Sequence, residues 1–118
     1  MNFKGNELTT GEMFRHVYSG ISAEDLERKS CELMTAWGYR LKSREGGQAV
    51  FEKGNRTARL LLGALVKYFK TSIRVTPAGP DELKCEVRSL SSGFSGGLIG
   101  INRMKNEMKA LFAAFQQL

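Results

Sequence analysis

From residue 13 onward the chain shows two rhythms of hydrophobic and polar positions, one of period two and one of period three to four. Residues 1–12 carry neither. They are polar, hold two glycines and predict a loose N-terminal tail. Met13–Tyr18 reads as a short strand that Gly20 ends. Ser22 is then placed as an N-cap, with Asp25 three residues on in a weaker form of the capping box. Glu24, Asp25 and Glu27 fill the first turn, where the helix dipole favours negative charge. Leu26, Leu33, Met34 and Trp37 fall on one stripe with Ser30 between them. Gly38 can take the left-handed conformation that closes a helix, so the pattern predicts a helix over 23–37.

Period two then takes over. In Tyr39–Arg44, Tyr39, Leu41 and Ser43 alternate with Arg40, Lys42 and Arg44. Glu45-Gly46-Gly47 is a hairpin signal, and Gln48–Lys53 is the return strand. Over 56–70 the spacing predicts at least a partial helix, with Arg56, Arg59, Gly63, Lys67 and Lys70 on one face and an apolar set on the other. Read as strand, the same segment would bulge or bend at Gly63. Thr71–Thr76 and Leu83–Leu90 are strands separated by a turn composition at Pro77–Asp81. In the second of these, Leu83, Cys85, Val87 and Ser89 share one face. A small-residue loop over 91–97 precedes a long C-terminal helix. In that helix Ile101, Met104, Met108, Leu111, Phe115 and Leu118 recur at helical spacing.

The order is β-α-β-β-β-β-α, with a possible extra helix at 56–70. It predicts an α+β domain over 13–118: an antiparallel sheet of about five strands with two helices packed on one face. The expected core includes Leu26, Leu33, Trp37, Leu41, Phe51, Ile73, Val75, Val87, Met108, Leu111 and Phe115. This order resembles one half of the TATA-binding-protein fold, and more loosely the helix-grip sheets that hold a ligand against a long C-terminal helix. The string GFSGGLIGINRMKNEM at 93–108 is similar to stretches of small, uncharacterised bacterial proteins. The resemblance lies in topology, and topology alone assigns no function.

Length and composition fit this picture. At 118 residues, with 42% hydrophobic and 25% charged positions, the chain suits one globular domain. It has no apolar run near 18 residues and no signal-peptide pattern, so the expectation is a cytoplasmic protein. Cys31, Cys85 and the lone His16 are scattered, which disfavours a structural metal. No cofactor-binding pattern is present.

The net charge of +6 adds candidate chemistry. Strand alternation places Arg40, Lys42, Arg44, Arg74, Lys84 and Arg88 on one open sheet surface, with Glu52 and Glu86 as the acids that share it. Such a surface can bind phosphates and release counterions, although few aromatic residues interleave as stacking platforms. A solvated sheet face has the same composition. Backbone N–H groups at the start of the last helix can hold an anion, with Ser92, Phe94, Ser95 and Arg103 as candidate contacts; a tight turn is the plainer reading. A basic amphipathic 56–70 would suit a core, a subunit contact or, least of these, an anionic membrane surface. Candidate acid–base groups are His16, Glu12, Glu52 and Glu86, but no nucleophile elbow or HExxH pattern accompanies them. The sequence therefore points to a non-enzymatic binding or interaction module, acting through the open sheet face or a sheet–helix groove. The sequence does not identify its partner; a protein or a second copy of the chain would fit. Nucleic-acid binding through the basic face, and capture of a small apolar ligand between sheet and helix, are the alternatives.

Overall fold

Ser22 starts the first helix as its sequence predicts. Its Oγ accepts from the Asp25 N–H at 3.1 Å, satisfying one of the donors that a helix N-terminus leaves open. This helix, α1, spans Ala23–Ala36. At its other end Gly38 takes φ 91°, its N–H reaches Thr35 O at 3.0 Å, and the Tyr39 N–H reaches Met34 O at 2.9 Å. That pair of bonds is a Schellman closure, and it turns the chain into the next strand.

The fold comes from a computed structural model, which describes residues 2–54, 68–90 and 97–118. Around α1 lie β1 (Phe3–Thr9), β2 (Met13–Ser19), β3 (Arg40–Glu45), β4 (Gln48–Gly54), β5 (Tyr68–Gly79), β6 (Glu82–Ser89) and a long second helix, α2 (Gly97–Phe115). The molecule is α+β, with a six-stranded antiparallel sheet in the order β1-β2-β6-β5-β4-β3. After β2 the chain crosses the sheet through α1 to the far edge. It then returns strand by strand until β6 pairs with β2. The β3–β4 turn is the two-residue loop Gly46-Gly47, both at positive φ (56° and 78°), a conformation that glycine enters without steric cost.

Both helices lie on one face. α1 packs on β5 and β3 and touches α2, while α2 packs on β2. Between helices and sheet sit Phe14, Tyr18, Leu26, Met34, Phe51, Ile73, Val87, Met108, Leu111 and Phe115, all buried. Full burial of one such side chain stabilises by about 1.5–3 kcal/mol. Leu33, Trp37 and Val75, also expected in the core, are partly buried against it.

Four expectations need correction. The N-terminal tail contains an edge strand, so there are six strands and the order begins β-β-α. β1 lacks a readable rhythm because two bulges interrupt it, between Phe3 and Gly5 and between Asn6 and Leu8. Most of its side chains are also exposed. Second, Leu41 is 52% exposed, because it lies on the edge strand β3 where no second neighbour covers it. Third, β3 slips by one residue between Leu41 and Ser43. The slip reverses the facing of every later residue, so Arg44, opposite Ala49, turns to the helix side. Fourth, residues 68–70 of the expected 56–70 helix belong to β5, and β5 runs on through Pro77 to Gly79. The remainder of that segment, 56–67, lies outside the described residues.

Candidate functional site

Register places Arg40, Arg74, Lys84 and Arg88 on the sheet face turned away from the helices, and Lys42, at the bulge, joins them through its pairing with Glu52. Each is already engaged. Arg40 and Lys42 flank the Glu52 carboxylate at 3.7 and 3.5 Å, and Arg40 also donates to Gly54 O at 2.9 Å. Lys84 meets Glu7 at 2.9 Å and Arg88 meets Glu86 at 3.0 Å. Arg74 donates to Gly46 O and to Gln48 Oε1 at 3.2 and 2.9 Å. Arg15, which the alternation did not single out, shares Glu86 at 3.2 Å, and Lys4 pairs with Glu82. Partial burial works to raise the Glu86 pKa, but hydrogen bonds from Arg88 and Arg15 outweigh it and the net direction is downward. Exposed pairs of this kind contribute only about 0–1 kcal/mol each. Their larger consequence is electrostatic: at Arg40, Lys42, Lys84 and Arg88 a phosphate would compete with a carboxylate already in place. Glu7 comes from β1, the strand with no legible rhythm, so sequence alternation could not count it.

The acid–base candidates are not gathered. Glu52 pairs in register with Lys70 and Glu86 with Arg74, so a stretch of β5 separates the two. Glu12 is exposed in the β1–β2 turn. His16 is fully buried on the helix side, among the rings of Phe3, Phe14, Tyr18 and Phe112. A hydrogen-bond chain fixes its tautomer. Thr9 Oγ1 donates to Asn6 Oδ1 at 2.7 Å, and Asn6 Nδ2 lies 3.2 Å from His16 Nδ1, which must therefore accept. His16 Nε2 then donates to Phe112 O at 3.1 Å. Burial lowers the His16 pKa, and the Phe112 carbonyl opposes this. Tyr18 donates to Phe115 O at 2.5 Å. The Ala113, Ala114 and Phe115 carbonyls also receive the N–H groups of Gln116, Gln117 and Leu118. Every carbonyl that the end of α2 leaves open is thereby paired. His16 and Tyr18 act here as helix caps.

Cys85 is buried and its thiol is pushed up to about 12, chiefly by desolvation. The nearby Ser30 hydroxyl opposes that rise, yet it makes no hydrogen bond of normal geometry. Cys31 is half-buried, with Arg44 Nη2 3.2 Å from its sulfur. Among the described residues no group of three or more His, Cys, Asp and Glu could hold a metal ion. No helix among them is long and apolar enough to cross a membrane. Of the loop candidates, Ser92, Phe94 and Ser95 lie outside the described residues. Arg103 sits partly buried on α2 and is engaged.

Among the described residues, α2 carries positive charge that no carboxylate meets. A groove of about 430 Å³ separates the β1–β2 turn from this helix. Its apolar part is Phe14, Met108 and Phe112, and its rim carries Lys105, Lys109, Thr9 and Thr10. Positions 105, 108, 109 and 112 form one helical face. Neither lysine has an ion-pair partner among the described residues. Gly11 lets the Lys105 stem lie on the turn, since a Cβ there would meet Lys105 Cε at 3.2 Å. Thr10 Oγ1 accepts the N–H groups of Glu12 and Met13 at 3.1 and 3.2 Å, which leaves its own O–H free to donate. The volume falls within the roughly 300–1,000 Å³ of small-molecule sites. Sequence periodicity had assigned Met108 to the packing stripe and made no reading of Lys105 or Lys109, which were the missed signal. No known protein family and no curated protein matches the chain.

Proposed function

We propose that the protein is a non-catalytic binding module for a small amphipathic anion, held in the groove between the β1–β2 turn and α2. The observation that carries this reading is the pairing of an apolar floor with two lysines that have no carboxylate partner among the described residues. The apolar body of such a ligand would lie on Phe14, Met108 and Phe112. Its anionic head would meet Lys105 and Lys109, with the Thr10 hydroxyl as a further donor. A long helix lying across an antiparallel sheet is also the arrangement by which helix-grip folds hold ligands. The sheet's own basic residues support the nucleic-acid alternative less well, because carboxylates, carbonyls and a glutamine side chain already engage them.

The test is titration with dodecanoate and with the fluorescent sulfonate 1-anilinonaphthalene-8-sulfonate. Saturable binding is expected, weakened about tenfold or more in a Lys105→Glu/Lys109→Glu double variant. An Arg40→Glu/Lys42→Glu variant should bind as the parent does. Equal affinity in the α2 variant would overturn the reading. So would selective binding of labelled oligonucleotides that weakens linearly on a log–log salt plot.

A further inference from the structure

A second cavity lies beneath α1, and its polar groups are unsatisfied in a specific way. It has a volume of about 110 Å³ and an apolar floor of Ala49, Phe51, Ile73 and Val75 on the sheet. Ser30 lines it from α1. Ser30 is 1% exposed, and its Oγ is the one buried side-chain oxygen or nitrogen without a hydrogen-bond partner among the described residues. Such a hydroxyl costs about 1–3 kcal/mol unless something bonds to it. The mouth carries Glu27 and Arg44. Arg44 faces this way because of the one-residue slip in β3. Neither residue has an ion-pair partner among the described residues, and they do not pair with each other. Glu27, Cys31 and Arg44 also border a wider surface groove along α1, which gives the cavity an entrance.

An apolar floor with one carboxylate and one guanidinium at its mouth, neither in an ion pair among the described residues and the guanidinium donating only to Cys31 Sγ at 3.2 Å, matches a ligand of the complementary pattern. We infer that this cavity is a site for a small aliphatic α-amino acid. The aliphatic side chain would occupy the floor, the carboxylate would face Arg44, and the ammonium would face Glu27. The Ser30 hydroxyl would gain its missing partner from the same ligand. The size sets an upper limit, since an engineered apolar cavity of about 150 Å³ holds a molecule as small as benzene. Valine and leucine are therefore better candidates than phenylalanine. The site is separate from the α2 groove and does not depend on the reading given to it.

The experiment is calorimetric titration of the intact chain with L-valine, L-leucine, L-phenylalanine, isovalerate and isobutylamine. Saturable binding of valine or leucine is expected, with isovalerate and isobutylamine each about tenfold weaker or worse because each lacks one charged partner. Arg44→Gln and Glu27→Gln, neither of them a buried side chain, should each cost a similar factor, while Lys105→Glu should cost nothing. Bound leucine should also slow iodoacetamide labelling of Cys31 severalfold. Cys85, buried and with a thiol pushed up to about 12, stays unlabelled and does not confuse the readout. No saturable binding of valine or leucine would overturn the inference. So would isovalerate binding as tightly as leucine, or leucine affinity that survives both Arg44→Gln and Glu27→Gln. Affinity lost only in Lys105→Glu would move the ligand to the α2 groove and overturn this site alone.

Discussion

The two helices sit on the same sheet face, yet the polar groups beneath them are in opposite condition. Under α2, His16 and Tyr18 are buried and fully engaged: each donates to a terminal helix carbonyl, and Asn6 and Thr9 complete the chain behind His16. Under α1, Ser30 is equally buried and has no partner, and Arg44 and Glu27 stand at the edge without counter-charges among the described residues. Buried polar groups are paired in the great majority of cases. The difference therefore separates a structural use of polarity from one that is available to a ligand. It also explains why the one histidine, the most obvious catalytic candidate in the sequence, is the wrong place to look. Its ring nitrogens are both committed, Nε2 to the end of α2 and Nδ1 to Asn6 on β1.

If that contrast is sound, substitutions on the α2 side should be costly. His16→Ala should have the largest effect. It leaves a cavity among four aromatic rings and strips the Phe112 carbonyl of its donor. A loss of about 3 kcal/mol is expected, or roughly 10 °C in thermal midpoint. A loss under 1 kcal/mol would mean that the ring is not a cap. The same residue predicts a pH dependence. Burial holds its folded pKa below the ordinary 6.5, so the unfolded chain binds the proton more readily. The His16 contribution is then complete above about pH 6.5 and drains away as pH falls towards the folded pKa. Thermal midpoints between pH 7.5 and 5.5 should fall in the parent and stay flatter in His16→Gln. The depressed Glu86 acts in a lower window, below its ordinary 4.5, so the two effects are separable. Tyr18→Phe should come next, at about 1 kcal/mol, because the Phe115 carbonyl retains the Leu118 N–H.

Much of the scaffold behind this contrast was legible in the chain, because it rests on local rules. The Ser22 cap, the Gly38 closure and the Gly46-Gly47 turn are each set by a few adjacent residues. The α2 stripe needs only a period. What escaped depends on partners distant in sequence. β1 forms because β2 offers an edge and because the Asn2 N–H reaches Leu118 O at 3.0 Å; its own pattern does not announce a strand. The bulge after Leu41 moves Arg44 across the sheet, and no composition marks it. Lys53 shares the helix side with Phe51, two residues before it, but no pattern announces its cover: it lies 4.8 Å from the Tyr39 ring centroid and 2.7 Å from Glu107. The basic sheet surface lacks Arg44, which the bulge turns to the helix side, and its chemistry was incomplete. Alternation locates a charge but does not show which carboxylate of another strand will meet it.

The smallest expected effect is also the one that most directly tests the α1 side. Ser30→Ala deletes a buried hydroxyl that has no partner and leaves the helix with its best former. Loss of a satisfied group at this depth would destabilise by about 1–3 kcal/mol, as expected for a broken hydrogen bond. Loss of an unsatisfied one removes a desolvation cost instead, so the variant should be unchanged or more stable by up to about 1 kcal/mol. Chemical denaturation of the ligand-free protein reads the sign. A gain or no change keeps Ser30 free for a ligand. A loss above 1 kcal/mol would show that the hydroxyl already has a partner, the Cys85 thiol beside it or a water in the cavity. The two helix seats would then be alike in kind, and the claim that only one of them awaits an occupant would fall with that result.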